Sequence, residues 1–88
     1  MGFAPEQRRD KAFAAVAEAA EAARTQPVRR TKALGFALAY LWAYAGGDRA
    51  PYTWLWRSVA IDNDITRSQN VNAALNGIRR ALGMSPGG

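Results

Sequence analysis

At 88 residues and 9.6 kDa the chain has room for one domain, residues 1–88, and a domain this small buries only about 60% of the surface its unfolded chain exposes. Apolar residues make up 49%, charged residues 22%, and Pro and Gly together 12 (4 + 8), which separates the chain from disordered, collagen-like and linker sequences. Cysteine and histidine are both absent, so disulfides, thiolate metal ligands, thiol nucleophiles and imidazole acid–base chemistry are excluded together.

Ala4-Pro5-Glu6 reads as a helix start, because proline suits the first helical position and an acid there complements the macrodipole. The first helix should run to about Arg24. It is rich in alanine, with bulk only at Phe13 and Val16, so high propensity is joined to thin anchoring and loose packing is expected. Thr25-Gln26-Pro27 should end it and start a second helix, capped by Thr25 or Gln26, that runs to Ala45 and stops at Gly46-Gly47. On this helix Leu34, Leu38, Leu41 and Ala45 form one stripe. Phe36, Tyr40, Ala43 and Tyr44 form another on nearly the opposite side, which predicts a central helix with neighbours on both faces.

Tyr52 to Ile61 reads as a short third helix with Tyr52, Leu55, Trp56 and Val59 on one face and Trp54 pointing away. Thr66-Arg67-Ser68-Gln69 has the capping-box pattern and should open a fourth helix over 66–82. Val71, Leu75, Ile78 and Leu82 give its apolar edge, Gly83 its end, and the tail should fray from about residue 84. No segment alternates as a strand would. The expected fold is an all-α, compact bundle of about four helices with a central apolar second helix.

Little in the sequence offers catalysis. Ser58, Ser68 and Ser85 have no imidazole to activate them, and Gly46-Gly47 is followed by Asp48 rather than by a phosphate-loop lysine. Asp62 and Asp64 flank Asn63 as in an oxygen-ligand loop, but the position that would supply a twelfth-residue glutamate is Ala73, so the residues read as a solvated turn whose Asp or Thr caps the fourth helix. No catalytic residue, metal or cofactor is expected.

Charge is the more informative signal. Twelve Lys and Arg, ten of them Arg, stand against seven acids for a net +5, and guanidinium forks suit phosphates and carboxylates. Arg24, Arg29, Arg30 and Lys32 form one acid-free zone and Arg67, Arg79 and Arg80 a second. They make one electropositive surface if the fold joins them. Opposite the apolar edge of the fourth helix lie Gln69, Asn72, Asn76, Arg79 and Arg80, with Ala73 and Gly77 between them. These are side chains that read base edges and grip phosphates, beside small residues that permit close approach. The segment Asp64 to Leu75 resembles the turn and recognition helix of winged helix-turn-helix regulators over about a dozen residues. The spacing to Val71 is one residue long and no strand pair follows Leu82 to make a wing. The resemblance therefore points to duplex DNA and assigns no family.

Two functions from different classes emerge. The first is a non-catalytic, basic regulator that binds nucleic acid, presenting the fourth helix to the duplex through Arg67, Gln69, Asn72, Asn76, Arg79 and Arg80 while Arg29, Arg30 and Lys32 contact phosphates. The second is a protein-binding inhibitor or adaptor of phage or mobile-element type, acting on a host nucleic-acid-processing protein. Six aromatics crowd between Tyr40 and Trp56, and Tyr44, Arg49, Trp54 and Arg57 would form its interface. A homodimer seam is the third arrangement this aromatic region suits. Arg8, Arg9, Asp10 and Lys11 interrupt any N-terminal apolar run, and the uncharged stretch Ala33–Gly47 is shorter than the ~20 residues a bilayer needs. A cytoplasmic chain with no membrane partner is expected.

Overall fold

Alanine-rich sequence from Pro5 onward forms α1 (Pro5–Thr25), and in the computed structural model, which describes residues 5–26 and 31–85, three further helices follow: α2 (Lys32–Ala45), α3 (Ala50–Ser58) and α4 (Asp64–Ala81). The described residues contain no strand, and the helices pack on one another as an all-α bundle. The radius of gyration of 12.5 Å lies close to the ~12 Å of a compact chain this long. No helix among the described residues is long and apolar enough to cross a membrane.

The ends of the helices are set by local chemistry that differs in part from the sequence expectation. Thr25 closes α1 instead of capping α2, its hydroxyl donating to the Ala22 carbonyl at 2.9 Å. The cap of α2 is Thr31, whose Oγ1 accepts from the Leu34 amide at 3.1 Å, while Pro27 lies outside the described residues. Gly46 and Gly47 end α2 at φ of 67° and 78°, as expected from their freedom to adopt the left-handed region. α3 begins earlier than expected, at Ala50 with Pro51 in its first turn, and ends at Ser58 rather than Ile61. Asn63, not Thr66, caps α4: its Oδ1 accepts from the Thr66 amide at 2.9 Å, so the presumed capping residue is instead the donor. At the other end Gly83, φ 70°, donates to the Arg80 carbonyl at 3.1 Å and Met84 to that of Arg79 at 2.9 Å, the paired bonds of a Schellman motif.

The core joins Phe13, Val16, Ala20 and Ala23 of α1 to Leu34, Leu38 and Leu41 of α2, Tyr52 and Leu55 of α3, Val59 just beyond α3, and Val71, Ala74 and Ile78 of α4. α1 is not loosely held. Its small side chains let α2 and α4 come close, and Val16, Ala20 and Ala23 are fully buried. α1 and α4 run antiparallel, and each sends an arginine to the other's C-terminal carbonyls. Arg9 Nη1 donates to the Leu82 carbonyl at 3.3 Å and Arg67 Nε to the Arg24 carbonyl at 3.0 Å. Cations placed there answer both the unpaired carbonyls and the negative pole of each helix.

α2 packs on both α1 and α3, but both contacts leave its second apolar stripe uncovered. Phe36 is 73% and Tyr40 62% exposed, where neighbours on both faces had been expected. The reason is the short α3 and its loop: Trp56 of α3 comes to rest beside Gly35, on the side of α2 away from Tyr40.

Candidate functional site

α4 turns Arg67, Val71, Ala74 and Ile78 inward, a stripe rotated slightly from the expected one, with Leu75 and Leu82 half-buried at its edge. Its outward face carries Ile65, Gln69, Asn72, Ala73, Asn76 and Arg80, all exposed, with no acid between Ile65 and Ser85. Gln69, Asn72, Asn76 and Arg80 recur at spacings of three and four and so lie along one strip. Arg79 sits at the border: its guanidinium lies 4.8 Å from the Phe13 ring centroid and its Nη1 donates to Asn76 Oδ1 at 2.8 Å. Gly77 flanks the strip. A Cβ there would meet only Arg80 Nη2, at 3.9 Å, so nothing among the described residues requires glycine at this place in the helix.

Arg67 corrects the sequence reading. It is 4% exposed, and besides the Arg24 carbonyl its Nη1 reaches the Ile61 carbonyl at 2.5 Å and the Asp62 carbonyl at 3.5 Å, while Nη2 pairs with Asp64 Oδ1 at 2.5 Å. Every nitrogen of the guanidinium is thus engaged within the bundle, which removes Arg67 from the candidate surface. A residue at i−4 from Val71 and i−7 from Ala74 belongs to the buried stripe whatever its charge, and that spacing was the available signal.

Through Arg67 the C-terminal end of α1 is tied to the first turn of α4. Lys32 is exposed at the start of α2; Arg29 and Arg30 lie outside the described residues. Arg24 itself is paired with Glu21.

The residues proposed for a protein interface are spread over the end of α2, its connection to α3, and α3 itself. Tyr44 is half-exposed and its hydroxyl donates to the Pro5 carbonyl at 2.8 Å, tying α2 to the start of α1. Trp54, 44% exposed, and Arg57, exposed, lie on the outer side of α3. Arg49 stacks over the Trp42 ring at 4.8 Å. The exposed aromatics that sequence reasoning assigned to packing are Phe36 and Tyr40. Also missed was a cleft of about 350 Å³ between α2 and α3, lined by Gly35, Leu38, Trp42, Arg49, Tyr52 and Trp56 among others. Burial within its wall raises the Tyr52 phenol above its usual value. An isolated glycine inside an otherwise unbroken helical pattern, at Gly35, was the sequence mark of that close approach.

Comparison with protein-family models, with curated proteins and with solved structures finds no match to this chain.

Proposed function

We propose that the protein is a non-catalytic nucleic-acid-binding module that lays the outer strip of α4 against duplex DNA. The observation that carries this reading is the exposed, acid-free row Gln69, Asn72, Asn76 and Arg80 on an 18-residue helix. Amide side chains can pair with adenine edges, arginine with guanine or phosphate, and the small Ala73 lets the backbone approach. Arg79 would turn from Asn76 toward phosphate. Lys32, exposed at the start of α2, would add charge for the backbone of the duplex, together with Arg29 and Arg30.

Fluorescence anisotropy with random-sequence duplex DNA over a salt series tests it. Binding should weaken as salt rises, and Arg80→Ala should lower affinity and flatten the slope of log affinity against log salt by about 1 while the thermal midpoint holds. Absence of binding even at low salt would end the proposal.

A second reading has its own support in the exposed stripe of Phe36 and Tyr40. Uncharged aromatics in adjacent turns of one helix are the kind of surface a protein partner covers, whether a nucleic-acid-processing protein or a second copy of this chain. Binding there would respond far less to salt.

A further inference from the structure

The cleft between α2 and α3 lies apart from the α4 strip and shares no residue with it. We infer that it is a binding site for a small planar aromatic carboxylate. Its walls are the rings of Trp42, Tyr52 and Trp56 with Leu38, and Arg49 and Thr53 stand at the mouth. A volume of about 350 Å³ lies at the small end of the ~300–1,000 Å³ of ligand pockets, which selects a ligand of one or two fused rings.

The walls are held from behind. Gly35 packs so closely under Trp56 that an added Cβ would lie 3.3 Å from its Cη2. Trp42 Nε1 donates to the Gly47 carbonyl at 3.3 Å, and the Thr53 hydroxyl donates to the Arg49 carbonyl, also at 3.3 Å. A cleft already held open costs a ligand little reorganisation, and three rings offer it stacked and edge contacts.

Charge decides the head group. The Arg49 guanidinium is steadied over Trp42, and among the described residues it has no carboxylate or hydrogen-bond acceptor of its own. Asp48, the adjacent acid, accepts from the Ala50 amide at 3.0 Å and forms no ion pair with Arg49, and no acid is among the residues lining the cleft. A carboxylate at the mouth meets an arginine fork whose donors are unspent, while the rings below cover the ligand's apolar body.

The probe pair is 2-naphthoate and its neutral isostere 2-naphthamide, titrated into the ¹⁵N-labelled full chain and followed by NMR. The indole N–H signals of Trp42 and Trp56 should shift saturably and that of Trp54, outside the cleft, should not. The carboxylate should bind about tenfold more tightly than the amide. Arg49→Gln should bring the two affinities together, and Ala39→Trp, at an exposed position on the mouth, should abolish both while far-UV circular dichroism is retained. No saturable shift at millimolar probe, equal affinities in the wild type, a dominant shift at Trp54, or an unchanged preference in Arg49→Gln would each overturn the inference. The Arg49→Gln comparison concerns a surface side chain and decides the matter even if Ala39→Trp fails to fold.

Discussion

Arg67 shows how one side chain can join three parts of a small bundle. Its fork reaches the last turn of α1, the loop after α3 and the first turn of α4, satisfying carbonyls that would otherwise be left unpaired. Arg67→Met preserves much of the aliphatic bulk but strands those carbonyls. The expected loss is roughly 2–4 kcal/mol, a fall of at least ~10 °C in thermal midpoint for a chain of this length. Arg67→Lys should recover only part of it, since one ammonium cannot span acceptors spread around a planar fork. Calorimetry on the three proteins reads the series; a melt unchanged in Arg67→Met would show the clamp to be unimportant. The Arg80 side chain, by contrast, makes no hydrogen bond to another described residue, which is why its replacement is the probe of binding and not of stability.

At the scale of the element, the start of α4 turns on a three-residue difference in where the cap lies. Asn63 adopts extended backbone, φ −77° and ψ 120°, and its side chain takes the Thr66 amide, whereas Thr66 is already inside the helix. Asn63→Ala should cost about 1 kcal/mol and Thr66→Ala less than about 0.5 kcal/mol, read from urea unfolding midpoints at constant slope. Equal effects would mean the helix starts where the capping-box pattern suggested. Much of this level was legible in the residues themselves. The leucines 34, 38 and 41 mark the buried face of α2, Gly46 and Gly83 mark helix ends, and the amide strip of α4 faces outward as its spacing requires. Asx and capping-box signals overlap within Asp62–Gln69, and local pattern does not rank them; the backbone path arriving from α3 does.

For the whole molecule, the instructive surface is the uncovered side of α2. Phe36 and Tyr40 are as aromatic as any core residue, yet no element reaches them, because α1 takes one flank of the helix and α3 the other. The double substitution Phe36→Ser and Tyr40→Ser should therefore shift stability by no more than ~1 kcal/mol. Leu41→Ala, one residue further along but fully buried, should cost about 2–5 kcal/mol. Thermal melts compare them directly; a large loss from the double variant would place that stripe inside a larger packed assembly. The same packing governs charge. Antiparallel pairing of α1 with α4 is what sets Arg9 and Arg67 each at the C-terminal carbonyls of the other helix.

Helix content, the buried leucine face, the glycine stops, the polar outer strip of α4 and the lack of imidazole and thiol chemistry are all properties of residue type and spacing, and they follow from the chain read in order. The fate of Arg67, the exposure of Phe36 and Tyr40, and the cleft under Arg49 are of another kind. Each depends on which of two chemically similar faces meets a neighbour, and that is settled by helix lengths, loop paths and how closely Gly35 lets Trp56 approach. Periodicity identifies a helix's apolar sides without saying how many of them an 88-residue chain has enough helices to cover.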